Sequence, residues 1–336
     1  MQIGLIDVDS IIPNLALMKI SAYHKQKGDN ITLLHDKVIS ARLIDFDKVY
    51  ISCIFEENRE IAIKIAGQFK NSDVGGVGIN HKRLPDEIEH LMPDYDLYPN
   101  VDYSINFTTR GCCRDCSFCK VRQHEGYIRV NCDIYEFWNP KHKKIVLLDN
   151  NILALPEHFM KIAGQIKENN LQVDFNQGLD HRLLTPKICK TLLDLKHIHE
   201  IRFAFDKPEY KKTVVKALNM LEKAGLKEWQ SRWYVYVGVD DDFYSVYNRL
   251  KLLRKHKQGV YLMRDKRVYD IPEYIALAQW CNHMGAFKVI DFEKLEYDNK
   301  RFIHYRKSIE KYLDKEIENE NTTSLCRNRW MQEALE

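Results

Sequence analysis

Gly111-Cys112-Cys113-Arg114-Asp115-Cys116-Ser117-Phe118-Cys119 gathers four of the chain's nine cysteines. Cys112, Cys116 and Cys119 make a C-x3-C-x2-C run, with Phe118 directly before the last thiol. Cysteine thiolates hold iron-sulfur cubanes, and a cluster ligated wholly by protein takes four of them. Three thiolates on one short loop hold three irons and leave the fourth open. Cys113 would shorten the first spacing to C-x2-C if it served as a ligand, so it is read as a bystander. The alternative is a non-catalytic zinc or iron-sulfur module in which Cys113 or Cys132 completes the site.

Taken together, the nine cysteines do not suggest a disulfide framework. Their number is odd and four crowd into one loop, a usage that suits a reducing compartment. At the amino terminus, Met1-Gln2-Ile3-Gly4-Leu5-Ile6-Asp7 has no basic leader, and Asp7 and Asp9 interrupt its apolar run. No apolar stretch approaches the ~18 residues of a membrane span. A cytoplasmic protein without membrane association is expected. Hydrophobic content of 45% and charged content of 29% are those of an ordinary globular chain, and 336 residues allow two domains. A net charge of +3 neither demands nor excludes a polyanionic partner.

Upstream of the cysteines, residues 2–8 read as a buried strand. Pro13 to Gly28 reads as a helix opened by proline and stopped by glycine. Residues 31–34, 48–55 and 73–80 read as further strands, and 59–70 as a second helix. Strands alternating with helices in this way predict a parallel, Rossmann-like sheet. A proline-flanked acidic-aromatic stretch, Asp94-Tyr95-Asp96-Leu97-Tyr98, connects this sheet to the cysteine-bearing half of the chain. Six more strand-like segments lie there, at residues 103–109, 144–149, 171–177, 201–206, 233–239 and 259–264. Amphipathic segments separate several of them, one capped by Thr185-Pro186 and another ending near Gly225.

The cysteine spacing, with an aromatic before the third thiol, resembles the signature of the radical SAM superfamily. That resemblance implies a 4Fe-4S cluster on Cys112, Cys116 and Cys119, whose open iron chelates S-adenosylmethionine through its methionyl amino and carboxylate groups. It implies reductive cleavage to a 5'-deoxyadenosyl radical, an electron donor such as flavodoxin or ferredoxin, and C–H functionalisation of a substrate, with methylation ranked first. It also implies the family's open (βα)6 barrel, with its site at the carboxyl ends of the strands. The expected architecture is therefore α/β: a Rossmann-like domain over 1–98, a radical SAM partial barrel over 99–298, and a helical carboxyl-terminal extension over 299–336.

The domain order is similar to that of the cobalamin-binding subgroup. Its D-x-H-x-x-G motif is missing: none of His24, His35, His81 or His90 has an aspartate two residues before it. Cobalamin is accordingly not expected. The methylthiotransferase subgroup places three cysteines in its first domain, whereas only Cys53 precedes the triad region here.

By the same resemblance, residues at the strand ends position S-adenosylmethionine. Leu148-Asp149-Asn150-Asn151 stands where many members carry a Gly-Gly-Glu turn for the methionyl amino group, so Asp149, Asn150 and Asn151 are candidates, a plain turn with helix capping being the other reading. Gln177 is a candidate for the ribose or substrate; in that turn Asp180 has a structural reading. Arg202 is a candidate for the methionyl carboxylate and Asp206 for the ribose, against an Arg202–Asp206 structural pair. Gly238 marks a place for close backbone approach, Phe118 packs beside cluster or adenine, and Leu262 with Met263 form an adenine wall or simple core. Arg110, Arg114, Lys120, Arg122 and Arg129 make the loop's surroundings basic, which suits an anionic substrate such as a nucleotide or nucleic acid, or a merely solvated surface.

Overall fold

The structure is a computed structural model that describes residues 1–34, 45–80 and 82–294. It falls into two compact units that divide between His199 and Glu200, so the sequence boundary at 98/99 runs inside the first of them. The extension expected over 299–336 lies outside the described residues.

The first unit opens with β1 (Gln2–Asp7), α1 (Leu15–Gln26), β2 (Asn30–Leu34), β3 (Lys48–Ser52), α2 (Arg59–Ala66) and β4 (Ser72–Gly75). The strands form an all-parallel sheet in the order β2-β1-β3-β4, as the alternation of strand and helix predicts. In β1 every residue from Ile3 to Asp7 is buried, the run expected of a parallel strand covered on both faces. Helix α1 is capped by Asn14, whose Oδ1 accepts the Leu17 N–H at 3.2 Å, so Pro13 stands just outside the cap rather than in the first turn. Gly28, at φ +78°, ends it as expected. The strands expected to run to residues 55 and 80 stop at Ser52 and Gly75. There Gly76, at φ +103°, turns so closely over the carbonyl of Cys53 that a Cβ would collide with it.

Next come α3 (Asp86–Glu89), β5 (Tyr103–Asn106), β6 (Thr109–Arg110), α4 (Val121–Glu125), β7 (Arg129–Val130), β8 (Lys144–Leu147), α5 (Pro156–Glu168), β9 (Gln172–Phe175), α6 (Pro186–Leu193) and β10 (Lys196–His197). Strands β10-β9-β8-β5 form a second parallel sheet, while β6 and β7 make a small antiparallel ladder that brackets the cysteine loop. Helix α1 serves both sheets. Leu17 and Ile20 pack with Ile3 and Leu5, whereas Leu15 and Met18 pack with Tyr95, Ile105 and Leu148. Burying one such side chain contributes about 1.5–3 kcal/mol. The helix therefore ties the root of the cysteine loop to the first sheet.

The second unit contains β11 (Ile201–Ala204), α7 (Lys211–Lys223), β12 (Ser231–Val237), α8 (Phe243–Lys255), β13 (Gly259–Arg264), α9 (Pro272–Cys281) and α10 (Met284–Val289). Its sheet is parallel in the order β11-β12-β13. Arg249 is buried, and its Nη1 donates to the carbonyls of Phe205, Asp206 and Tyr236 at 3.3, 2.7 and 3.0 Å, knotting the carboxyl ends of β11 and β12. All six strands expected of a partial barrel are present as β5, β8, β9, β11, β12 and β13. Among the described residues their hydrogen bonding runs in two sheets, with β10 at the edge of the first beside β9. No helix in the described residues is long and apolar enough to cross a membrane.

Candidate metal centre

The register pairs Asn106 with Leu147 and Leu147 with Phe175, so the segments that follow β5, β8 and β9 emerge together at one carboxyl edge. The cysteine loop leaves from the first of them. Its root is Thr108-Thr109, and the buried carboxylate of Asp149 takes hold of both threonines. Asp149 accepts the Thr108 N–H at 3.2 Å and hydroxyl at 2.8 Å, and the Thr109 N–H at 2.5 Å and hydroxyl at 2.6 Å. Burial pushes this carboxyl upward, against four hydrogen bonds that favour the anion. Asp149, expected to face a cofactor, is thus committed to the loop.

Beyond the threonines, Gly111 sits at φ +82°, and a Cβ there would also strike the carbonyl oxygens of Tyr127 and of Gly126, the latter at 2.6 Å. The Cys112 N–H bonds that Gly126 carbonyl at 3.2 Å. The Cys119 N–H closes a turn onto the Cys116 carbonyl at 2.9 Å, which is how a C-x2-C spacing folds back on itself. Arg114 leaves the loop to bond Asp180 at 2.8 Å, and the same carboxylate accepts Arg182 at 2.7 and 3.1 Å. Burial works to raise the Asp180 carboxyl, but Arg182 and Arg114 hold it below the usual carboxylate range. Asp180 therefore fills the structural role that its turn suggested.

Among the described residues, no three His, Cys, Asp or Glu side chains are gathered to grip a metal ion. The donors expected from the sequence are the thiols of Cys112, Cys116 and Cys119, all unbridged, and a cluster would spread them over separate irons. Two N–H groups already point at the first sulfur: Arg114 N lies 3.4 Å and Asn151 Nδ2 3.6 Å from Cys112 Sγ, as donors to a thiolate would. Asn151 is 4% exposed, yet its Oδ1 has no partner among the described residues. A buried amide oxygen left open beside the loop fits a bound group that brings its own donor.

Cys113 is exposed, its thiol pushed up by burial and the neighbouring Cys112. Cys132 is buried and donates to the Phe107 carbonyl at 3.2 Å, and burial pushes its thiol up to about 12. Its sulfur is engaged with the Phe107 carbonyl, which weighs against its completing a zinc site. Phe118 and Asn150 are half-buried and Gln177 is exposed. Part of the basic segment is paired where it stands. Arg110 bonds Glu89 at 2.8 Å and Glu125 at 3.0 Å, Lys120 bonds Glu56 at 2.8 Å, and Arg129 donates to the Glu125 carbonyl.

The structure thus brings together Cys112, Asn151, Asp149 and Asp180 around one loop. Arg202, Asp206 and Gly238 belong to the second unit. Arg202 is the second residue of β11, toward its amino end, while the Asp206 carbonyl receives Arg249. Gly238 donates its N–H to Asp241 at 2.9 Å. Leu262 is buried and Met263 exposed, so β13 presents them on opposite faces. Sequence reasoning passes over Thr108 and Thr109, which carry no motif, and also His158. His158 is buried in the first turn of α5 with Nε2 unpartnered among the described residues, and burial lowers its pKa.

No family model matches the chain, and no curated protein matches it. Solved structures do. The cobalamin-dependent S-adenosylmethionine radical enzyme OxsB, with aqua-cobalamin and S-adenosylmethionine bound, superposes with a TM-score of 0.51 at 13% identity. Its apo, selenomethionine-labelled form gives 0.52 at 14%. Each match covers 85% of this chain, which spans 56% of the OxsB chain. At such identity the likeness is one of fold: a mixed α/β chain of parallel sheets.

Proposed function

We propose that this chain is a radical SAM enzyme whose cluster is held by Cys112, Cys116 and Cys119. The observation that carries the reading is the grip of Asp149 on Thr108 and Thr109. It fixes a three-thiol loop at the carboxyl edge of a parallel sheet, where such folds keep their sites. The fold shared with OxsB supports it. A cluster bound there would supply one electron to split the sulfonium C–S bond of S-adenosylmethionine, giving methionine and a 5'-deoxyadenosyl radical that takes a hydrogen atom from a substrate C–H. The chain's own residues bind, orient and exclude water. Asn151 Oδ1 would accept from the cofactor's amino group and Phe118 would pack beside the cluster, with Asn150 and Gln177 available to the cofactor's remaining polar groups or to substrate; Arg202, Asp206 and Gly238, expected for the cofactor from the sequence, lie in the second unit. The electron comes from a small donor such as flavodoxin or ferredoxin, and the reaction class is C–H functionalisation, methylation first.

A second reading adds a corrinoid. OxsB is cobalamin-dependent by its description, and the carboxyl edge of this chain's first sheet carries exposed Ile11, Ile12, Ile54, Phe55 and Val77. An apolar rim at the switch point of a parallel sheet suits a large cofactor. Without the D-x-H-x-x-G histidine, cobalt would take no ligand from that motif. Hydroxocobalamin retained through gel filtration would support this reading.

The deciding experiment is anaerobic reconstitution with iron and sulfide, then dithionite and S-adenosylmethionine. Wild type is expected to gain broad visible absorption and release 5'-deoxyadenosine, and Cys116→Ala to lose both while remaining folded. Stoichiometric zinc with no such product would leave the chain a metal-binding module.

A further inference from the structure

We infer that the side-chain amide of Asn151, resting on the cluster reading, sets the reduction potential of that cluster and couples it to occupancy by the sulfonium cofactor. Asn151 stands at the N-cap of a single 3₁₀ turn, Ile152–Ala154, where asparagine side chains ordinarily accept from the following N–H groups. Its side chain forgoes that bond; the Ala154 N–H goes to the main-chain oxygen of Asn151 at 3.0 Å. The amide is spent on sulfur instead. Nδ2 lies 3.6 Å from Cys112 Sγ and 3.5 Å from Cys113 Sγ, in a residue that is only 4% exposed.

A thiolate bound to iron only accepts, so with iron on Cys112 the amide has one tolerable orientation, nitrogen toward sulfur. The flipped amide would set its oxygen against the sulfur lone pairs. That orientation fixes Oδ1 on the far side, buried and without a donor among the described residues. An ammonium group on a bound cofactor supplies what Oδ1 lacks. The two ends of one amide therefore touch two different groups.

Reduction adds one electron to the cluster, moves no proton, and leaves the sulfurs more negative. N–H···S bonds stabilise that state and raise the potential. A donor on Oδ1 polarises the amide and strengthens its N–H bonds to sulfur. Cofactor binding thus raises the potential through Asn151, and by linkage the reduced cluster binds cofactor more tightly.

The test uses the full chain reconstituted as wild type, Asn151→Leu and Asn151→Asp, titrated with dithionite under EPR with and without S-adenosylmethionine. Cofactor affinity is measured by equilibrium dialysis of the oxidised proteins. Leucine removes both ends: the potential falls, its response to cofactor shrinks, and affinity drops by about tenfold or more, as for loss of a hydrogen bond to a charged group. Aspartate lacks the N–H but keeps an acceptor: the potential falls, while affinity stays above that of Asn151→Leu. Wild type and Asn151→Leu titrating alike would overturn the inference, as would Asn151→Asp losing affinity as fully as Asn151→Leu. If Asn151→Leu fails to take up iron, Asn151→Asp carries the test alone, since a potential equal to that of wild type would overturn the inference. A wild type that binds no cluster at all would instead overturn the proposed function beneath it.

Discussion

Asp149 holds Thr109 by both main chain and side chain, accepting the N–H at 2.5 Å and the hydroxyl at 2.6 Å, three residues before the first thiol of the triad. Position is thereby transmitted from the end of β8 to the cysteine loop through one carboxylate. Asp149→Asn keeps the shape, but its NH2 group cannot accept, so at least one buried donor loses its partner. We expect a loss of about 1–3 kcal/mol in urea unfolding and reduced iron uptake on reconstitution. Thr109→Val removes one hydroxyl and leaves the main-chain bond, so it should cost about 0.5–1.5 kcal/mol and retain the cluster. Equal effects from the two substitutions would deny Asp149 this role.

Asp180 makes the loop's second anchor sensitive to acid. Its folded-state pKa lies below the usual carboxylate value, held there by Arg182 and Arg114 against burial. A depressed pKa contributes stability above the unfolded value of about 3.9, and that stability is lost as pH falls through the folded value. Wild type should therefore exceed Asp180→Asn by about 1.5–3 kcal/mol at neutral pH, with the gap closing below about pH 4. Chemical denaturation across pH 3 to 7 reads this difference directly. A gap that stays constant would show that the ion pairs contribute nothing.

Much of this arrangement is legible in the chain, and the exceptions share a cause. The strand from Ile3 announces itself because burial on both faces leaves a continuous apolar run, and those around Val49 and Val146 do so by short apolar runs of β-branched residues. Thr185 marks a helix start because capping is a local event, and it accepts the Ile188 N–H at 3.2 Å. The cysteine spacing is local too. Asp149 reads as a cofactor residue in the bare sequence because only its place at a strand end is visible; its partners lie 40 and 41 residues earlier. Arg114 looks like part of a basic patch for the same reason, its acid lying 66 residues on. Contacts made across a sheet edge have no period, so spacing cannot announce them.

Cys132 separates the cluster reading from a zinc site. Its thiol donates to the Phe107 carbonyl, and burial pushes it up to about 12. Cys132→Ala should cost about 1–2 kcal/mol in unfolding, the value of a small buried group and its weak hydrogen bond. Iron and sulfide content after reconstitution should match wild type. Loss of bound metal in this variant, with the fold intact by circular dichroism, would make Cys132 a ligand and favour the module.

Two glycines carry opposite expectations because their surroundings differ. Gly111 sits at φ +82° with the Gly126 carbonyl oxygen 2.6 Å from where a Cβ would lie. Alanine there must move backbone at the entrance to the cysteines, at a cost of about 1–3 kcal/mol and with iron uptake reduced. Gly164 lies exposed inside α5, with nothing within 4 Å of its would-be Cβ. Alanine there removes only the flexibility of the unfolded chain and should stabilise by about 0.5–1 kcal/mol, leaving iron content unchanged. Thermal melts of both variants beside iron analysis distinguish strain at the loop from general destabilisation. If Gly111→Ala melts lower but binds iron as wild type does, the loop's backbone is not what places the thiols.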